Sequence, residues 1–270
     1  MTVATDLEPR RAPAIGDALD RYHGPLVSSV SVVLFILVWQ VAAARGWINA
    51  RYTSSPSQVL AAAFDIARHD DFLHHAWVSF SEFSLGFVAA FLVGLPLGFA
   101  LGTSRRLRLF IEPPMMALYT APRLTLLPIL IIWLGIGTAS KVAVVFLGAV
   151  FPIIVNAMAG VREGDPRLLQ TARAFGASRL DTVIKVLLPG ALPAVLLGVR
   201  LAIGRGVLSV VVGEMFVSEA GIGHQIMNYG EAMQVGHLMV YAFAISLFGY
   251  ALAVLVRLTE DRVRSWRPQP

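Results

Sequence analysis

The chain alternates between long runs without a charge and short segments that hold nearly all of its arginines. Six apolar stretches stand out: Leu26 to Ala44, Phe83 to Thr103, Pro113 to Ser140, Val142 to Val161, Gly190 to Gly213 and Leu238 to Val256. A helix needs roughly 20 apolar residues to cross the hydrocarbon core of a bilayer, and five of these stretches suit one crossing each. The third is longer and is interrupted by Pro122, Arg123 and Pro128. Irregular backbone is not tolerated facing lipid, so an interfacial or re-entrant turn is expected before Pro122. The pattern predicts an all-α, polytopic membrane protein of about six transmembrane helices. The first run follows about 25 residues and is long for a signal peptide, so it reads as a retained anchor, despite Ala42-Ala43-Ala44 behind it.

Between the fourth and fifth runs lies a patterned loop, residues 162–189. Asp165 suits a helix N-cap and Pro166 the first helical position. Leu168, Leu169, Ala172 and Phe175 recur at helical spacing, and Gly176 follows as a stop. Ser178 and Asp181 form a capping-box-like pair for a second helix, whose apolar face is Leu180, Val183, Ile184, Leu187 and Leu188. Pro189 is expected to end it. The prediction is helix, glycine elbow, helix, lying on the membrane or docked into a partner.

Composition sharpens this picture. Of 270 residues, 56% are hydrophobic and 14% charged, against about 25% charged in a soluble domain. The Lys and Arg residues give an orientation. Segments 1–25, 104–112, 162–189 and 257–270 hold fifteen of them, and the opposite side four, so both termini are expected in the cytoplasm. The net charge of +5 is topology rather than a nucleic-acid footprint. The absence of cysteine excludes disulfides, iron–sulfur clusters and thiolate zinc sites. No Walker-type loop, zinc-protease or serine-hydrolase signature occurs, so no catalytic residue and no cofactor is expected, and ATP would bind elsewhere.

Other features have two readings each. Gly94, Gly98 and Gly102 permit close helix approach, within one subunit or across a homodimer. Arg200 and Arg205 fall inside the fifth run, where a charge normally faces a cavity or a partner. They lie about 140° apart on a helix and cannot both face one pore. Arg123 marks the break in the third run, and broken spans often line transport paths. These three arginines are the candidates for a translocation path, with pairing to carbonyls or snorkelling near the interface (Arg200, Arg205) and a simple interfacial kink (Arg123) as the alternatives. Glu82 and Glu112 are expected at the interfaces. Residues 57–68 read as an interfacial amphipathic helix. His69, His74 and His75 beside Asp70 and Asp71 do not share one helical face, so a solvated outer loop is expected there rather than a metal site.

The segment Gln170-Thr171-Ala172, three residues, Gly176, nine residues, Val186, one residue, Leu188-Pro189 resembles the EAA loop of ABC importer permeases. Ala172, Gly176, Leu188 and Pro189 match that pattern, Val186 is conservative, and Gln170 and Thr171 depart from it. Ser55-Pro56-Ser57-Gln58-Val59, Trp133-Leu134-Gly135-Ile136-Gly137, Phe151-Pro152-Ile153, Gly160-Val161-Arg162, Gly198-Val199-Arg200 and Gly221-Ile222-Gly223 are similar to segments of the nitrate, sulfonate and taurine permeases. The resemblance covers roughly residues 50–260. It implies a permease domain over residues 26–257, between cytoplasmic tails 1–25 and 258–270, in a bacterial inner membrane. It also implies a homodimer working with two copies of an ATP-binding subunit and a periplasmic or lipoprotein solute-binding protein. The solute would be a small anion or polar organic of the nitrate, sulfonate, taurine or bicarbonate class. By the same resemblance, Arg167, Leu169, Gln170, Thr171, Ala172, Phe175, Gly176, Ala177 and Ser178 would couple the permease to the ATPase. An ion-coupled secondary transporter would carry acidic relays within the membrane, and the runs have almost none. A membrane enzyme or assembly protein would show a clustered catalytic set, and none is found.

Overall fold

The computed structural model describes residues 15–264, and they are helical almost throughout. Helix α1 spans Ile15–Ala44, α2 Ala50–Thr53, α3 Pro56–His69, α4 Phe72–Thr103 and α5 Arg105–Thr120. A 3-10 turn at Arg123–Leu126 leads into α6, Leu127–Leu134, followed by α7, Thr138–Arg162. The loop helices are α8, Pro166–Ala174, and α9, Arg179–Thr182. Then come α10, Leu188–Val217, α11, Ile222–Glu231, and α12, Val235–Arg264.

The core is α7, packed between α4 and α10. Small residues let the backbones meet. A Cβ added at Gly98 would stand 2.7 Å from the Ala157 Cβ, and one at Gly102 would stand 2.6 Å from the Val161 Cβ. Gly86 meets Val145, and Gly94 meets Ile153 in the same way. The glycine repeat is thus spent on packing inside one chain. Its register also fixes topology: the residue numbers of partners rise together, so α4 and α7 run parallel. Gly148 meets Ser209 while Gly160 meets Ala194, so α10 runs antiparallel to α7. Gly249 against Val207 and the Arg200–Glu260 pair make α12 antiparallel to α10.

Parallel neighbours must be joined by a return crossing. The chain makes it with α5, the 3-10 turn and α6, which together span the third apolar stretch. Among the described residues, five helices are long and apolar enough to cross a bilayer on their own. The remaining crossing is broken, because Pro122 has no N–H to donate and disfavours helix in the residue before it. Ala121 is accordingly extended, with ψ 144°.

Two expectations need correction, the stop at Pro189 and the place of Glu82. The second loop helix does not end at Pro189. A π turn at Val183–Leu187 carries it into α10, with the Leu188 N–H reaching back five residues to the Val183 carbonyl. The wide turn shifts the hydrogen-bond register just before the proline, so the helix continues through it. α12 runs on through residues 258–264, and residues 15–25 are the first turns of α1, so both helices reach into the segments read as tails. The rest of the two tails, 1–14 and 265–270, lies outside the described residues.

Glu82 is not interfacial in the sense expected. It is fully buried, 2.5 Å from Lys141 Nζ, which also donates to Ser218 Oγ at 2.8 Å. This pair ties α4 to the start of α7 and the end of α10. Removing one partner from a buried pair leaves an uncompensated charge. Lys141→Met is expected to cost about 3–5 kcal/mol, and the double variant Glu82→Leu with Lys141→Met to recover most of it. Thermal unfolding of detergent-purified protein reads both. In the same assay Gly98→Val is expected to destabilise by about 1–3 kcal/mol through overpacking against Ala157.

Candidate functional site

At the end of the bundle where α4 and α7 finish, residues 163–187 fold as an elbow. Asp165 Oδ1 accepts from the Arg167 N–H at 2.8 Å, which starts α8. Gly176 has φ +77°, the left-handed conformation that glycine takes without strain, and the Ala177 N–H closes the turn on the Ala172 carbonyl at 3.0 Å. Ser178 Oγ then accepts from the Asp181 N–H at 3.1 Å and donates to its carboxylate at 2.6 Å, capping α9. The caps and the glycine turn read from the sequence of this elbow are in place.

The apolar residues of the loop divide into two sets. Leu169, Val183 and Leu187 pack on Phe99, Ala157 and Val161, which seats the elbow on the bundle. Leu168, Phe175 and Leu180 point away, and Phe175 is 88% exposed. Arg167, Gln170, Thr171, Gly176 and Ser178 are also exposed, while Ala172 and Ala177 are half-buried. The loop therefore presents an apolar strip rimmed by polar groups, on a base anchored to the core. A recess lined by Gly102, Arg105, Leu169, Ala177 and Thr182 separates the elbow from the end of α4.

The arginines of the apolar layer behave differently from one another. Arg200 donates to the Glu260 carboxylate of α12 at 3.3 Å, a partner other than the carbonyls expected. Arg205 sits over the ring of Tyr119, 4.9 Å from guanidinium carbon to centroid. Arg123 opens the 3-10 turn at the break. Arg200 and Arg205 thus have different partners on different helices.

The opposite end carries a polar network that sequence reasoning missed. Glu214, fully buried, accepts from Ser79 Oγ at 2.9 Å and from the Gly223 N–H at 2.7 Å, which holds the start of α11 against α4 and α10. Asp70 accepts from Tyr229 Oη at 3.0 Å and Tyr241 Oη at 2.5 Å. His75 Nδ1 accepts from the Gly221 N–H at 3.1 Å. Asp70 and His75 are therefore part of a packed cap, not of a solvated loop. Tyr229 is pushed up to about 12 by burial and by the Asp70 carboxylate it serves. Asp65 lies between His237 at 3.0 Å and His69 at 2.9 Å, and these contacts hold its carboxyl below the usual range. Among the described residues no group of three or more His, Asp or Glu is placed to hold a metal. The one available signal was Gly221-Ile222-Gly223 a few residues after Glu214, a carboxylate that directly follows an apolar run.

With this geometry in hand, known proteins give a consistent comparison. Residues 90–265 match the family model described as binding-protein-dependent transport system inner membrane component. A protein of Escherichia coli K12 named as aliphatic sulfonates transport permease SsuC is 34% identical over 233 residues, covering 86% of this chain and 89% of its own. Its namesake in Bacillus subtilis 168 is 31% identical over 234 residues, covering 87% and 85%. The taurine transport system permease TauC of Escherichia coli K12 is 29% identical over 241 residues, covering 87% and 88%. Among solved structures, a chain of the inward-facing MetNI methionine ABC transporter superposes with a TM-score of 0.60 at 22% identity, covering 73% of this chain and 96% of that one, a likeness of fold. The apolar spans, the elbow at one end of them and these relatives place the chain in the family of binding-protein-dependent inner-membrane transport components, as a transmembrane permease of an ABC importer.

Proposed function

We propose that this permease moves a small organosulfonate across the inner membrane, delivered by a solute-binding protein and driven by ATP hydrolysis on a separate subunit. The substrate class rests on the relatives named for aliphatic sulfonates and taurine. Nitrate and bicarbonate, related oxyanions, are the competing substrates. The working unit is two copies of this chain with two ATP-binding subunits. The elbow faces the cytoplasm, in keeping with the arginines around it, and both termini lie on that side.

One observation carries the coupling role: a rigidly capped helix–glycine–helix elbow that exposes Phe175, Leu168 and Leu180 while Leu169, Val183 and Leu187 anchor it. An exposed aromatic within a polar rim is the composition of an interface centre. The π turn joins the elbow to α10 without a flexible linker. A push on α8 and α9 is thereby passed to α10, and through Ala191, Ala194 and Gly160 to α7. Residues 167–178 form the contact with the ATPase; Gly176 sets its angle.

Two outcomes follow. A single cysteine at Ala172 or Phe175, in a chain with no native cysteine, crosslinks to the ATP-binding subunit in the assembled complex. Crosslinks that never reach a nucleotide-hydrolysing subunit, or labelling of these positions from outside the cell, contradict the reading. Gly176→Val forces a β-branched residue into the left-handed region at roughly 1–2 kcal/mol. It is expected to abolish most ATP-driven uptake of ethanesulfonate into proteoliposomes while leaving the spans folded by circular dichroism. Uptake of nitrate or bicarbonate but not ethanesulfonate reassigns the substrate.

A further inference from the structure

We infer that Arg205 and the break after Tyr119 form an anion seat for the transported solute, at mid-depth in the membrane; this rests on the transport reading above. Depth follows from helix geometry. Arg205 lies ~26 Å along α10 from Leu188 and ~18 Å from Val217, and Tyr119 lies ~21 Å along α5 from Arg105. Tyr119 also meets the Phe151 ring, 6.1 Å between centroids, close to the middle of α7.

Three observations converge there. First, Arg205 is a half-buried cation in the apolar layer, and among the described residues no carboxylate pairs with it. Arg200, five residues away, has Glu260. A guanidinium at this depth cannot stably face hydrocarbon, so its exposed part faces water or protein. Second, the Tyr119 ring holds the guanidinium at 4.9 Å, which fixes its position and leaves its N–H donors unspent on any acid. Third, the crossing breaks directly after Tyr119, at Ala121 and Pro122, and Thr120, Pro122 and Thr125 are exposed. Non-helical backbone at membrane depth persists only where it is buried in protein or lines a water-filled cavity. Both Arg205 and the break are thus kept out of lipid, and a path for a charged solute along this side of the chain meets the need of both.

The chemistry of that space is selective. A planar guanidinium presents paired N–H donors that match two oxygens of a tetrahedral or planar oxyanion. Broken crossings elsewhere use such positions for the charged group of a solute. A sulfonate would place its oxygens on the Arg205 fork, and its short apolar chain would lie against Tyr119. The seat would be weak, because a path must release what it binds.

The test uses the full transporter in proteoliposomes, with ATPase and binding protein, carrying a single cysteine by Thr120→Cys. Two thiol reagents are compared, the anionic 2-sulfonatoethyl methanethiosulfonate and its cationic trimethylammonium analogue, each scaled to its rate with a free thiol. The anionic reagent is expected to react roughly tenfold faster, the influence of one nearby positive charge. Millimolar ethanesulfonate is expected to slow it. In the Arg205→Gln background the ratio falls to about one, and in Arg205→Lys it is largely kept. Equal rates with Arg205 intact, an unchanged ratio in Arg205→Gln, or no reaction in any nucleotide state overturns the seat. Ethanesulfonate uptake by a transporter without the charge preference removes the seat and leaves the transport reading. Charge preference without any ATP-driven ethanesulfonate uptake removes the substrate reading and leaves an anion site.

Discussion

Close contact between α4 and α7 through glycine is the constraint on which the rest depends. Lipid gives helices no hydrophobic reason to associate, so they hold together by packing and polar contacts. Here a ridge of glycines on α4 takes the side chains of α7 directly onto its backbone. Because that register is parallel, the intervening chain must return across the membrane. It does so with a crossing that Pro122 prevents from being a continuous helix. A packing rule in the core thereby produces an irregular segment on the flank that cannot face lipid, beside Arg205, for which no carboxylate partner is found among the described residues.

The two ends of this packed unit are tied in different ways, and the difference suits a machine driven from one side. At the end that carries α11, acids do the tying: buried Glu82 to Lys141, buried Glu214 to Ser79 and the Gly223 N–H, and half-buried Asp70 to two tyrosines. Such groups are costly to leave unpaired, so this cap favours one arrangement strongly. At the opposite end the elbow is held by apolar seating and helix caps, and its far face is left bare. A partner that grips Phe175 and moves would carry α10 and α7 with it, since no flexible linker intervenes to absorb the motion.

The fold and the elbow were legible in the sequence for a physical reason. Span length, charge asymmetry and cap chemistry are local properties, and Asp165, Gly176, Ser178 and Asp181 each act within a few residues of themselves. What failed was of two kinds. Pro189 was read as a stop because the wide turn that absorbs it depends on hydrogen bonds five residues apart, which side-chain identity does not announce. The outer network was missed because its pairs are distant in the chain, 135 residues apart for Ser79 and Glu214 and 171 for Asp70 and Tyr241. Glu82 looked interfacial because Lys141 lies beyond two intervening helices. Arg200 and Arg205, equivalent as residues in an apolar run, separated only when Glu260 and Tyr119 took their places.

On the proposed coupling, the elbow and the helices behind it move as one body under nucleotide control. A spin label at Phe175→Cys, one per chain, gives the distance between the two elbows of an assembled transporter by pulsed electron resonance. The account predicts a shift of several ångströms between the nucleotide-free and ATP-bound states, matched in timing by labels on the inner end of α10. An elbow distance that ATP leaves unchanged, in a complex that still hydrolyses ATP and imports solute, would contradict it.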